Sequence, residues 1–318
     1  MKLSIVVEED RVLRLMQVIL DPTTSPERIA AFTDYNSTDQ IDFLGWLNTL
    51  REEIPSIYPA HVELVTNEET FHLHLQQADI AIVESNVIGR DELLIAKNLK
   101  LICNFGVLTN NIDLQACAAR SIPVLTVRRR TNIAMAEHTL MLILSLAKRL
   151  PLINGLLTED QLAKAGFSFK PYDSRHTAKA NYGRIPDLRT LHGLKIGLLG
   201  LGEIGQEVAK LLNPFGMEIF YHKRQRLLAS EEELLGVHYC SFNELFAQSE
   251  FLSVHIPFSD STRGLVNHEA LTRMPKGAYL INTSRAEIVD HEALVSALAS
   301  NHLAGAGCDV HYSEPTHP

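Results

Sequence analysis

The stretch Lys195-Ile196-Gly197-Leu198-Leu199-Gly200-Leu201-Gly202-Glu203-Ile204-Gly205-Gln206-Glu207-Val208-Ala209-Lys210-Leu211-Leu212 joins a short apolar run to an amphipathic one through closely spaced glycines. The first run reads as a buried strand and the second as a helix. Gly200 suits the tight turn between them, Gly202 lets a backbone approach a pyrophosphate, and Gly205 lets the helix pack closely on the strand. With Glu203 and Ile204, these residues open the helix, whose free N–H groups suit phosphate oxygens. A glycine turn without a ligand is the bland alternative. The surrounding pattern argues against it.

Toward the C-terminus the alternation is regular. Strands are expected at 194–199, 218–221, 236–239, 251–255, 278–282 and 304–309, with helices at 204–212, 230–235, 242–247, 267–273 and 291–299 between them. Six strands and five crossovers make a full doubly wound dinucleotide-binding domain. Toward the N-terminus, strands are expected at 3–7, 62–65, 80–83, 99–104 and 123–127, and helices at 12–20, 39–50, 69–77 and 114–119. That pattern also implies a parallel sheet covered on both faces. Asp21 to Asp39 reads as an irregular surface excursion. Asn132 to Leu150 reads as a long apolar helix joining two domains, and Lys170 to Arg189 as a crossing loop. The fold class is therefore α/β. A first domain, 1–130, precedes a Rossmann-type NAD(P)-binding domain, 131–318.

The second strand of that domain bears on cofactor choice. An NAD site usually carries an acid about 20 residues after the glycines, bonding the ribose hydroxyls. Here the strand leads into His222, Lys223, Arg224, Gln225 and Arg226, with no acid. Basic side chains would attract a 2′-phosphate that a carboxylate would repel. The reading favours NADP(H), with NAD(H) as the alternative. A solvated basic turn without a role is the bland reading.

Bulk properties agree with an ordinary globular protein. In 318 residues, 46% are hydrophobic and 21% charged, as in ordinary globular proteins. Asp and Glu outnumber Lys and Arg by 38 to 29, for a net charge of −9, which argues against a general nucleic-acid binder. No apolar run approaches the roughly 20 residues a membrane span needs. The N-terminal residues lack a signal peptide's long apolar stretch. Cys103, Cys117, Cys240 and Cys308 are scattered without metal-ligand spacing, so reduced, buried thiols in a cytoplasmic protein are expected.

Several further motifs occur in order. They are Gly106-Val107 through Asn111-Ile112-Asp113, then Asn132 with Ala136-Glu137-His138, the glycine turn, and His255-Ile256-Pro257. Ile281-Asn282-Thr283-Ser284-Arg285, Ile288-Val289-Asp290, Gly305 to Val310 and Glu314-Pro315 follow. From Leu99 to Pro315 the chain resembles the D-isomer-specific 2-hydroxyacid dehydrogenases. The resemblance implies a flavodoxin-like substrate (catalytic) domain beside the Rossmann domain. It implies hydride transfer between NAD(P)H and a small 2-oxo or 2-hydroxy acid. Arg285 then matches the substrate-binding arginine, whose fork suits a carboxylate and a carbonyl. Glu314 matches the carboxylate that pairs with the catalytic histidine. Main-chain N–H groups near Val107 and Leu108 match the loop receiving the substrate carboxylate. His255, Pro257, Thr283, Ser284 and Asp309 match residues around the cofactor, with Asp309 on the nicotinamide carboxamide. A homodimer formed through the long helix is expected, with neither nucleic acid nor membrane as partner.

The chain also departs from that pattern. The family's proton-donating histidine lies well beyond the acid-Pro motif, whereas only Thr316, His317 and Pro318 follow here. His317 is too close to Glu314 to match. A truncated version of a longer protein is the reading favoured, and a non-catalytic dinucleotide sensor or scaffold the alternative. Leu108 and Asn110 stand where the family often has glycine and aspartate. Arg128-Arg129-Arg130 replaces a proline-glycine turn, as a contact for an extra anionic group or as a solvated basic turn. His138 is read as a packing or capping residue of the long helix.

Overall fold

A computed structural model describes residues 2–38, 40–167, 175–176 and 184–312. The chain divides into two compact units, Met1–Arg129 and Arg130–Pro318.

The first unit runs β1 (Leu3–Glu8), α1 (Arg14–Leu20), α2 (Pro26–Tyr35), α3 (Phe43–Glu53), β2 (Ala60–Val65), α4 (Glu68–Leu75), β3 (Ile80–Val83), α5 (Arg90–Ile95), β4 (Leu101–Asn104), α6 (Leu114–Ala119) and β5 (Val124–Thr126). Its strands form a parallel sheet in the order β2-β1-β3-β4-β5, the flavodoxin-like order. Apolar side chains of β1 alternate between the two faces. Val6 joins Phe71, Leu75 and Ile102 on one, while Ile5 and Val7 join Val18, Phe43 and Leu47 on the other.

The second unit runs α7 (Arg130–Ala147), α8 (Leu150–Ile153), α9 (Glu159–Lys164), β6 (Lys195–Leu199), α10 (Glu203–Leu212), β7 (Glu218–His222), α11 (Ala229–Leu235), β8 (Val237–Tyr239), α12 (Phe242–Gln248), β9 (Phe251–Val254), α13 (His268–Arg273), β10 (Ala278–Asn282), α14 (His291–Ala299) and β11 (Leu303–Cys308). Its six strands are parallel in the order β11-β10-β9-β6-β7-β8. Counted within the unit that is 6-5-4-1-2-3, the Rossmann order. Ile196 and Leu198 of β6 pack with Val208, Ala209 and Ile143 of α10 and α7. Leu199 packs with Leu245, Phe246 and Leu280 on the opposite face. Burial on both faces explains why the central strands read as continuous apolar runs.

Some expectations need correcting. The 21–39 stretch is not irregular throughout. Ser25 accepts a bond from Arg28 N–H and Pro26 opens α2, the N-cap and proline signature of a helix start. None of its residues is buried, so the helix carries little periodic signal. Asp39 lies outside the described residues. Short helices α5 and α9 also escaped the pattern, although Thr158 and Gln161 form a capping box on α9. The long helix starts at Arg130, where a basic turn was an option, and stops at Ala147. Arg149 then takes a left-handed conformation, φ +51°. Cys308 is exposed and Cys103 only half-buried. The thiols are free, but only Cys117 and Cys240 are buried as expected. Most of the 170–189 loop lies outside the described residues.

Candidate functional site

The glycine turn lies at the carboxyl edge of the second sheet. Gly200 has φ +99°, and its N–H donates to the His222 carbonyl at 2.9 Å. A Cβ at Gly200 would sit 2.8 Å from the His255 carbonyl carbon and oxygen. A Cβ at Gly205 would sit 2.8 Å from the Gly200 oxygen. The protein's own packing therefore demands both glycines. At Gly202 a Cβ would meet nothing within 4 Å. Gly202 is also the N-cap of α10, and the protein's packing leaves the space beside it open. The N–H groups of the first turn of α10 stand outside the helical ladder, so the turn fits a pyrophosphate. The Glu203 carboxylate accepts from Asn132 Nδ2 of α7 at 2.5 Å.

At the end of β7, His222 Nδ1 lies 3.0 Å from the Cys240 carbonyl oxygen, with its ring against Tyr239 and Phe242. Lys223 Nζ reaches the Leu201 carbonyl of the glycine turn at 3.5 Å. Arg224 is exposed. Arg226, included in the basic cluster by sequence, is instead held by both oxygens of Glu232 at 2.9 and 2.8 Å.

The carboxyl ends of β9, β10 and β11 bring the other expected residues to the same edge. His255 Nε2 lies 2.9 Å from the Ser253 hydroxyl, and desolvation pushes its pKa down to about 4, so the imidazole is neutral. Ser284 donates from Oγ to the Ile256 carbonyl at 2.6 Å, and the Pro257 carbonyl accepts from Thr262 Oγ1 at 2.9 Å. Buried Asn282 accepts from Ser284 N–H at 3.1 Å and donates to the Arg285 carbonyl at 2.9 Å. That clamp leaves Arg285 exposed, with Nη1 on the Ser284 carbonyl at 2.7 Å. Thr283 is buried, its hydroxyl 3.1 Å from that of Thr139. Asp309 Oδ1 lies 3.4 Å from His138 Nε2. Sequence reasoning gave no role to Asn282, Ser253 or Thr139 and treated His138 as a packing or capping residue. Asn282 carried a usable signal, a polar side chain ending the apolar run Ala278–Ile281. Glu314 lies outside the described residues.

Val107 and Leu108 belong to the first unit. Asn104, buried at the end of β4, donates from Nδ2 to the carbonyls of Gly106 at 3.1 Å and Leu108 at 2.9 Å, which shapes their loop. Arg129 pairs with Glu84 and lies over the Phe105 ring at 5.3 Å. Among the described residues no group of His, Cys, Asp and Glu could hold a metal ion, and no helix is long and apolar enough to cross a membrane.

Residues 140–318 match the family described as D-isomer specific 2-hydroxyacid dehydrogenase, NAD binding domain. A hydroxypyruvate reductase of Thermotoga maritima is 33% identical over 242 residues, 76% of this chain and 72% of that protein. A glyoxylate reductase of Thermococcus litoralis is 33% identical over 228 residues, 72% of this chain and 65% of that one. The crystal structure of D-lactate dehydrogenase from Aquifex aeolicus, complexed with NAD and lactic acid, is similar with a TM-score of 0.50. It is 26% identical, and the match covers 97% of this chain and 77% of that one.

Proposed function

The chain belongs to the D-isomer specific 2-hydroxyacid dehydrogenases, and from that premise we propose that it interconverts a small 2-oxo acid and its 2-hydroxy acid with NADP(H). The observation that carries this reading is the carboxyl edge of the second sheet, where open space at Gly202 and the exposed guanidinium of Arg285 lie on one rim.

When bound, the nicotinamide nucleotide supplies or accepts the hydride. The N–H groups of Gly202 to Gly205 hold its pyrophosphate. Lys223 and Arg224 favour a 2′-phosphate, since no acid follows β7. His255, Pro257, Thr283 and Ser284 wall the site, and Asp309 orients the carboxamide. Arg285 binds the substrate carboxylate and polarises its carbonyl. Glu314 is the carboxylate that would pair with the family's proton-donating histidine. The exposed apolar residues Met141 and Leu150, in and just after α7, support a homodimer, which sedimentation tests.

The test is twofold. NADPH and NADH binding is titrated by fluorescence, and cofactor oxidation is followed by absorbance with glyoxylate, hydroxypyruvate and larger 2-oxo acids. NADPH oxidation with at least one of them is expected. Failure to bind either nucleotide would overturn the reading.

A further inference from the structure

The loop between β7 and α11 is fastened at its far end by groups that play no part in the site described above. Tyr221 is fully buried, so its hydroxyl needs partners inside the protein. It donates to Glu232 Oε1 at 2.7 Å and accepts from Leu227 N–H at 2.9 Å. The same Glu232 carboxylate accepts both Nε and Nη2 of Arg226, in the two-pronged geometry that guanidinium and carboxylate share. The Arg226 guanidinium also lies 5.4 Å over the Tyr239 ring. Strand β7, the loop and the first turns of α11 are thus tied at one carboxylate.

Three consequences follow. Arg226 is neutralised in place and withdrawn from any phosphate. Lys223 stays against the glycine turn through the Leu201 carbonyl. Arg224 is presented outward and forms no ion pair among the described residues. The network keeps its charges over any ordinary pH. The Arg226 and then the Tyr221 hydrogen bonds hold the Glu232 carboxyl at about 2, while burial, helped by Glu232, pushes the Tyr221 hydroxyl up to about 12.

We propose that Tyr221, Glu232 and Arg226 form a positioning clamp through which Lys223 and Arg224 distinguish the substituent on the 2′ position of the cofactor's adenosine ribose. The proposal rests on the cofactor site assigned above. It adds the three residues that set the loop's geometry, which touch no cofactor themselves. A clamp of this kind acts on discrimination, whereas a purely structural role would weaken both nucleotides alike.

The experiment measures dissociation constants for NADPH and NADH by fluorescence quenching on the full chain. It compares wild type with Tyr221→Phe, Glu232→Gln, Arg226→Lys, Lys223→Ala and Arg224→Ala, each checked for cooperative thermal unfolding. The clamp variants are expected to shift the NADH-to-NADPH ratio by about fivefold or more, the scale of one misplaced charge-assisted hydrogen bond. Arg226→Lys should not rescue it, because an ammonium cannot span both oxygens. If Glu232→Gln fails to fold, Tyr221→Phe decides, since it removes a single hydroxyl. Cooperatively folded Tyr221→Phe and Glu232→Gln with ratios within about twofold of wild type would overturn the clamp. A wild type that prefers NADH would instead overturn the NADP(H) reading alone, because the clamp is scored on the shift in ratio, whichever nucleotide is preferred.

Discussion

Alanine at Gly200 and alanine at Gly202, two residues apart in one turn, should fail in opposite ways. At Gly200 the backbone has φ +99°, and the new Cβ would lie 2.8 Å from the His255 carbonyl carbon and oxygen and 2.9 Å from Ile256 Cγ2. Two of those neighbours are main chain at the end of β9 and cannot swing aside. Holding a non-glycine residue in such a conformation costs about 1–3 kcal/mol. Overfilling a packed space costs about 1–3 kcal/mol more. Gly200→Ala should therefore lose about 2–6 kcal/mol of stability. At Gly202 φ is −84°, and nothing lies within 4 Å of the new methyl group. Replacement there should change stability by less than about 1 kcal/mol, because alanine restricts the unfolded chain but is a poorer N-cap than glycine for α10. The same methyl group would occupy the space a pyrophosphate needs, so cofactor affinity should fall at least about tenfold, or ~1.4 kcal/mol. Urea unfolding without cofactor and fluorescence titration with NADPH read the two effects separately. A Gly202→Ala protein that unfolds as early as Gly200→Ala, or that binds NADPH as wild type does, would refute the reasoning.

Four further outcomes are expected. Asn282→Ala should cost about 1–3 kcal/mol, by leaving Ser284 N–H and the Arg285 carbonyl without their partner, and should also lower kcat/KM. Denaturation and turnover assays check both effects. Arg285→Lys should leave stability within about 0.5 kcal/mol, since the side chain is exposed, yet lower kcat/KM on the order of 100-fold. An unchanged kcat/KM would remove its assignment. The folded pKa of His255 is depressed from 6.5 to about 4, so its contribution to stability is present above 6.5 and lost as pH falls toward 4. Its imidazole NMR signals should accordingly show no titration near 6.5. Burial works to raise the Glu8 pKa, but N–H donors from Asn86, Glu84 and Ser85 and the Ser85 hydroxyl outweigh it, so the folded value lies below 4.5. That contribution is present above 4.5 and lost as pH falls through the folded value, and acid unfolding of Glu8→Gln should show a flatter profile.

Whatever depended on neighbours in the chain was legible in the sequence. Strand and helix spacing around Lys195–Leu212 gave the doubly wound unit, because burial on one or both faces imposes period and length on each segment. The use of Gly205 was equally local, since its Cβ would meet the Gly200 oxygen of the same turn, whereas the space at Gly200 is closed by His255 after a different strand. Absence of an acid after β7 could be read by counting from the glycines. Helix α2 was local too, through Ser25 and Pro26, but its lack of buried residues hid it from a reading based on apolar period.

Tertiary structure decided which polar groups remain available. Arg226 looked interchangeable with Lys223 and Arg224, yet it is engaged by Glu232, which the buried Tyr221 of β7 also holds. Arg129 is likewise engaged by Glu84, 45 residues away. Asn282 became visible as the clamp beneath Arg285 only once its side chain was seen bonded on both sides of the turn. His138 and Thr139 met Asp309 and Thr283 only because α7 packs along β10 and β11. Hydrophobic period and turn chemistry are written in consecutive residues. A charge or hydrogen-bonding group finds its partner through space, so its availability is fixed only when distant segments have packed.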